Sequence, residues 1–366
     1  MVERLFIHNY KGFVNFEVKF GRTVLLVGRN GSGKSSLLDR MHALVMVMSD
    51  GGLADRFEAN TRFRFGNLPN QHFELDVRLG EHLFRYRLEV SFNEQDERPF
   101  VVLEELTRNG EQLFLFHDGQ FRLGTAAGNG NPSILSVDRY RGGLAIVFES
   151  HLPDTLKEWV RGFLMMRLVP SQVGSVAAKR GVSIFTDGSD FASWYESVSS
   201  ADTQALVAYL DTMRDVMPGL KTINLKALHK RGKLWEAEFQ TNGHKASFTL
   251  EELSDGQIGL IVLYALVRFW LRSGATLALD EPDNYLALSE IEPLIHTIDD
   301  AVEHNLGQVF LISHHPEFYN RWARYSERCR HLVRTEDGLF VESPIDWNEY
   351  TGLMPAEVVA RGWQDA

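Results

Sequence analysis

The chain has 366 residues, 44% of them hydrophobic and 24% charged, with a formal charge of −11. That fits one large or two ordinary globular domains with a sizeable core, and the net acidity argues against a stand-alone nucleic-acid binder while leaving a local basic strip open. The single cysteine, Cys329, excludes an intrachain disulfide, and neither a signal-peptide-like start nor a bilayer-length apolar run is present (residues 260–270 are too few and include Arg268), so a cytoplasmic protein with no membrane partner is expected.

Residues 3–9 alternate loosely and predict a first strand. Asn9-Tyr10-Lys11-Gly12-Phe13 predicts a turn, followed by strands over 14–20 and 23–27. Directly after comes Gly28-Arg29-Asn30-Gly31-Ser32-Gly33-Lys34-Ser35, which fits the phosphate-binding pattern G-x-x-x-x-G-K-[ST]. A buried strand precedes it and a helix-compatible run from Ser35 to Met41 follows, the setting this chemistry requires. Glycines let the backbone turn several N–H groups onto phosphate oxygens, and the helix start adds partial positive charge. On this reading Asn30, Gly31, Ser32, Gly33, Lys34, Ser35 and Ser36 bind nucleotide, with Lys34 reaching the β- and γ-phosphates and the Ser35 hydroxyl facing Mg²⁺. Lys11, close by in sequence, is a phosphate contact or a solvated turn lysine.

Residues 49–70 read as loop. Two hairpins follow, one turning at residues 80–82 and one at Asn109-Gly110, so the first third is rich in antiparallel sheet. Residues 124–132 read as flexible loop. A helical face is expected over 152–168 (Leu156, Trp159, Val160, Phe163 and Leu164), then an irregular stretch over 172–185. Residues 190–217 predict helix, in one piece or two and at most an arm of about 40 Å, with Pro218-Gly219 ending it. Residues 221–249 predict strands carrying Lys221, Lys226, Lys230, Arg231 and Lys233, a solvated face or a nucleic-acid contact.

Leu253-Ser254-Asp255-Gly256-Gln257 precedes an apolar helix over 258–271. Ser-x-x-Gln is a capping box, and the same helix end, with the Ser254 hydroxyl and Gly256, is suited to a second phosphate. The strand Thr276–Leu279 ends in Asp280-Glu281-Pro282: Asp280 is placed to hold Mg²⁺ through its shell and Glu281 to orient and deprotonate water. A last apolar strand over 309–313 ends at His314-His315-Pro316, where His314 is a γ-phosphate donor or a structural turn histidine.

The set Gly28–Ser35, Leu253–Gln257, Leu279–Pro282 and Ile312–Pro316 resembles the ABC-type ATPase heads of the SMC, RecF and OLD group. The opening turn resembles the group's N-terminal segment. Thr186-Asp187-Gly188-Ser189-Asp190-Phe191, a helix, then Pro218-Gly219 resembles the middle of stand-alone RecF-like bacterial AAA ATPases. The resemblance implies an α/β P-loop NTPase of ABC-ATPase type: a mixed central sheet, an antiparallel β subdomain and a helical lobe. Expected boundaries are 1–124, an inserted lobe over 125–249, and 250–366. It implies ATP and Mg²⁺ as ligands, a homodimer that closes around two ATPs, and work in DNA repair, chromosome organisation or defence against phage or plasmid DNA, often with a nuclease partner. Direct DNA contact stays open.

The chain departs from the group after Pro282, where Asp283-Asn284-Tyr285-Leu286-Ala287-Leu288 replaces the usual Glu-x-x-Leu-His-Pro. Gln71 and Gln172 both compete for the role of the Q-loop glutamine. No acidic nuclease segment is expected after the ATPase. Two other readings stand beside the DNA or defence ATPase. A transporter subunit is disfavoured because 220 residues separate Lys34 from Ser254; a non-hydrolysing ATP sensor restraining a toxin is disfavoured by Glu281.

Overall fold

The computed structural model describes residues 1–66, 68–117, 119–124, 135–136, 138–178, 181, 183–228, 232–271, 274–305, 307–325, 327–350 and 352–362. In chain order its strands and helices begin with β1 (Val2–His8), β2 (Phe16–Lys19), β3 (Thr23–Val27) and α1 (Lys34–Asp50). There follow β4 (Gln71–Leu79), β5 (His82–Phe92), β6 (Pro99–Arg108), β7 (Glu111–His117), β8 (Gln120–Leu123) and β9 (Leu135–Ser136). Then come α2 (Leu144–His151), α3 (Asp154–Arg161), β10 (Phe163–Met166) and β11 (Val176–Ala177). Next are α4 (Phe191–Ala201), α5 (Thr203–Val216), β12 (Leu220–Leu228), β13 (Gly232–Thr241), β14 (His244–Phe248) and α6 (Asp255–Ala265). The chain continues through β15 (Thr276–Asp280), α7 (Leu288–Asn305), β16 (Gln308–Ile312), the single turn α8 (Pro316–Phe318), β17 (Cys329–Arg334), β18 (Phe340–Glu342) and α9 (Pro355–Ala360). Two compact units result: Met1–Phe163 with Arg324–Ala366, and Leu164–Ala323.

In the first unit an antiparallel sheet runs in the order β2-β1-β4-β5-β6-β7-β8-β9. Its alternating strands bury one face: Phe73, Leu75 and Val77 of β4 and Phe84, Tyr86, Leu88 and Val90 of β5 are all sealed from solvent, each large apolar side chain contributing about 1.5–3 kcal/mol. The expected hairpin at Asn109-Gly110 forms, with both residues at positive φ. The fully buried β3 pairs in parallel with β17, which pairs antiparallel with β18, a mixed arrangement.

The helix α2 packs beside α1 and is anchored at its start by an acid from the sheet. Glu104 on β6 is fully buried; its carboxyl accepts from the Tyr86 hydroxyl at 2.7 Å and from the backbone N–H groups of Gly143 at 2.7 Å and Leu144 at 3.2 Å. Burial pushes its pKa up to about 7, with the three bonds pulling the other way.

In the second unit β10, β15 and β16 lie side by side, with β15 and β16 parallel and fully buried. A smaller antiparallel group joins β12, β13, β14 and β11. An aromatic cluster of Trp194, Tyr195, Tyr209, Trp235 and Phe269 fills the lobe, and the Tyr209 hydroxyl donates to the Ile261 carbonyl of α6 at 3.0 Å.

Two expectations, the helices over 152–168 and 258–271, are corrected. The helix expected over 152–168 stops at Arg161, because Gly162 closes it; Phe163 and Leu164 then belong to β10. Helical spacing alone does not reveal that break. Over 190–217 the two-piece helix allowed by the sequence is what forms: Asp202 ends α4 and caps α5, accepting from the Ala205 N–H. The apolar helix at 258–271 changes to a π-turn over Leu266–Trp270. The loop expected over 124–132 lies outside the described residues from 125 onward, as do Lys230 and Arg231.

Candidate functional site

The P-loop sits at the end of β3 in the first unit. Gly28, Gly31 and Gly33 have φ of 140°, 80° and 99°, conformations a side chain disfavours. A Cβ on Gly33 would lie 2.7 Å from Phe340 and 2.9 Å from Phe13, so the loop is also clamped from outside. Lys34 is buried and its ammonium donates to the carbonyls of Gly28 at 2.6 Å and Arg29 at 3.1 Å. The Ser32 hydroxyl is buried with no hydrogen-bond partner, an unsatisfied group of the kind a bound phosphate completes. Asn30 and Gly31 are exposed at the crest, while Ser35 and Ser36 lie on the first turn of α1, which carries no acid to compete for an anion.

The opening turn is brought to this loop. Lys11 has φ 51°, its N–H donates to the Thr61 carbonyl at 2.6 Å, and its ammonium donates to the Ser36 hydroxyl at 2.7 Å. Asn9 fixes the turn, accepting from the Phe63 N–H at 3.0 Å and donating to the carbonyls of Leu68 and Asn70 at 2.9 and 3.0 Å. Arg40 of α1, almost wholly buried, stacks on Tyr10 at 4.1 Å and Phe57 at 4.5 Å, locking the turn against the P-loop helix.

A cavity of about 400 Å³ opens beside Lys11. Phe63, Phe65, Arg64, Arg334 and Phe340 line it; Phe65 is 75% exposed. Phe340 therefore touches both the cavity and Gly33 of the P-loop. Sequence reading passed over Phe63, Arg64 and Phe65 as loop; the interleaving of Arg62, Phe63, Arg64 and Phe65 was the available signal.

In the second unit Asp280 ends β15, buried, and accepts from Arg167 Nε and Nη2 at 2.9 and 2.5 Å. Sequence reading had no reason to single out Arg167, 113 residues away. Glu281 has φ 52°, unusual outside glycine and of the sort held at functional sites. Its N–H donates to the Ile312 carbonyl at 2.9 Å, its Oε2 accepts from Asn284 at 3.0 Å, and its Oε1 lies 3.8 Å from His314 Nε2. So Glu281 and His314 come together, whereas His315 is engaged as a helix cap, its Nδ1 accepting from the Glu317 N–H. Burial raises the pKa of Asp283 next to them.

Ser254 caps α6, accepting from the Gln257 N–H at 3.3 Å, while Gln257 accepts from the Ser254 N–H at 3.1 Å. A Cβ on Gly256 would lie 2.8 Å from the Tyr285 carbonyl and one on Gly259 3.3 Å from Leu286. The departing segment after Pro282 is therefore packed on the glycine face of α6. Gln172 is exposed on a turn shortly after β10; Gln71 is buried on β4, donating to the Thr61 hydroxyl. Lys226 pairs with Glu236 and Lys233 with Glu196, the latter at 2.9 Å, so two of the three described basic residues singled out at 221–233 are matched by acids.

The family described as “AAA domain, putative AbiEii toxin, Type IV TA system” matches residues 24–320. No curated protein matches the sequence. An Smc head bound to the C-terminal winged-helix domain of ScpA is similar at 14% identity and a TM-score of 0.54, over 96% of this chain and 99% of that one. An Smc head with an extended coiled coil, bound to the C-terminal domain of ScpA derived from Pyrococcus furiosus, is similar at 11% identity and a TM-score of 0.54, over 99% of both chains. These likenesses give the fold, the α/β fold of Smc head domains. Among the described residues no helix is long and apolar enough to cross a membrane.

Proposed function

The chain belongs to this AAA-domain family, and on that premise we propose that it is an ATP-hydrolysing head that dimerises around Mg-ATP and gates a DNA-transaction or defence activity delivered through a partner nuclease or effector. The observation that carries the reading is the P-loop: a buried ammonium, three left-handed glycines and an orphaned hydroxyl make an anion cradle with no other evident use. The backbone N–H groups and Lys34 hold the triphosphate, Lys34 exchanging its loop carbonyls for phosphate oxygens. Lys11, beside Ser36, adds charge at the same end. The base and ribose lie in the adjoining cavity, with Phe65 as stacking face.

The residues fit a divalent metal in donor type: the Ser35 hydroxyl and the Asp280 carboxylate are hard oxygen ligands. Bound Mg²⁺ supplies neutralisation of the charge developing on the phosphates. Glu281, positioned by Asn284, takes the proton of the attacking water, and His314 donates to the γ-phosphate. Ser254 and Gly256 serve the nucleotide of a second copy, through the helix end that Ser254 already caps.

Mixing two inactive variants tests the shared site. Lys34→Ala removes the P-loop cation and Ser254→Arg blocks the helix end, so each homodimer has two broken sites and the mixed dimer has one intact site. ATPase activity, or ATP trapping where site-to-site cooperativity masks turnover, is expected to return on mixing. Mixed dimers that form yet neither trap nor hydrolyse ATP contradict the shared site, as does unimpaired turnover by Ser254→Arg alone. The family's description names a putative toxin, which keeps beside this the reading of a non-hydrolysing nucleotide sensor restraining a toxin; turnover near zero in the presence of tight ATP binding favours it.

A further inference from the structure

Arg167 follows β10 directly, and its guanidinium covers the Asp280 carboxylate through the two bonds to Oδ2. The partners differ sharply in exposure: the Asp280 side chain is 4% exposed and that of Arg167 is 51%. Such charge-assisted bonds are short and strong, and stripping the partner from a buried charge is costly. Yet the oxygen that Arg167 occupies belongs to the residue read above as facing the metal.

We propose that Arg167 is an internal cation that competes with the divalent metal for Asp280, holding the carboxylate in the metal-free chain and swinging outward when metal-nucleotide arrives. This rests on the reading of Asp280 as the metal-facing acid. Two cations on one carboxylate repel strongly where little water screens them, so the metal and the guanidinium exclude each other. The guanidinium is half exposed and has solvent to move into. The backbone beneath it is pinned: the Arg167 N–H donates to the Thr186 carbonyl at 2.7 Å and the Val169 N–H to the Asp187 carbonyl at 3.1 Å. Gly188, at φ 79°, closes that turn against Leu168, which a Cβ there would approach to 2.9 Å. Only the side chain has to move, so the exchange needs no rearrangement of β10.

The consequence is quantitative. A site open for a fraction of the time binds more weakly by that fraction, so a latch closed about nine-tenths of the time weakens apparent metal affinity about tenfold. The metal level at which the head engages its nucleotide is then set by the chain itself.

The test is Mn²⁺ binding to the full chain, followed by electron paramagnetic resonance with a non-hydrolysable ATP analogue present, for wild type, Arg167→Met and Arg167→Gln. Arg167→Met removes charge and bonds; Arg167→Gln keeps a donor to Asp280 and serves if the first variant does not fold. Each variant is expected to bind Mn²⁺ about tenfold more tightly than wild type, and to melt at lower temperature in EDTA, where Asp280 has lost its guanidinium. Folded variants with unchanged or weaker Mn²⁺ affinity overturn the latch alone, provided wild type binds Mn²⁺. A wild type that binds the analogue but no Mn²⁺ overturns the metal reading of Asp280 and the latch with it.

Discussion

Replacing Glu104 with Gln is expected to abolish a pH dependence of stability whose sign and size follow from the structure. The folded chain holds this carboxyl fully buried with a pKa near 7, against about 4.5 when exposed. Between those values the folded chain keeps a proton that the unfolded chain has lost. Folding therefore takes up a proton, and stability falls as pH rises through the window. Below about pH 4.5 both states are protonated, and above about pH 7 both are ionised, with the whole cost of a buried carboxylate present. Each unit of pKa shift corresponds to about 1.4 kcal/mol, so wild type loses about 2–3 kcal/mol between pH 5 and pH 8 from this group. A neutral amide does not titrate, and its oxygen can still accept from the Gly143 N–H. The assay is urea unfolding of wild type and Glu104→Gln at pH 5, 6, 7 and 8, taking the difference at each pH so that other titrating groups cancel. Wild type is expected to lose about 2–3 kcal/mol relative to the variant across the series. A constant difference refutes the reasoning and means that Glu104 ionises in the ordinary range despite its burial.

Glu281→Gln is expected to leave Mg-ATP affinity near wild type and to cut turnover by roughly a hundredfold or more, the usual scale for a lost general base; single-turnover hydrolysis within a few-fold of wild type means another group activates the water. Gly256→Ala is expected to destabilise the second unit by about 1–3 kcal/mol, because overpacking against the Tyr285 carbonyl outweighs the better helix propensity of alanine. A rise in unfolding free energy instead shows that the segment after Pro282 yields to the methyl group.

The parts of this fold written in local pattern were legible in the sequence. The strand–loop–helix of the P-loop, the Asn109-Gly110 hairpin and the Ser254/Gln257 capping box depend on neighbours a few residues apart, and they formed as expected. The break at Gly162 was hidden because Phe163 and Leu164 continue the apolar spacing of α3 while a glycine C-cap ends it. The rest depends on distant pairs. Arg167 meets Asp280 across 113 residues, and Phe340 reaches Gly33 from the far end of the chain. The cage of Tyr10 and Phe57 around Arg40 likewise joins three segments that are each unremarkable alone. The basic stretch near Lys226 stands out in the sequence, but its pairing does not: Glu236 meets Lys226 across the β12–β13 hairpin, and Glu196 meets Lys233 from α4.

The central claim is that the cradle of Gly28, Gly31, Gly33 and Lys34 is a nucleotide site. Isothermal titration calorimetry of Mg-ATP into wild type and Lys34→Ala, each verified as folded by its melting curve, tests it most directly. The account predicts saturable binding by wild type and no measurable binding by Lys34→Ala, because the loop N–H groups alone do not neutralise a triphosphate. Equal affinity in the two proteins contradicts it.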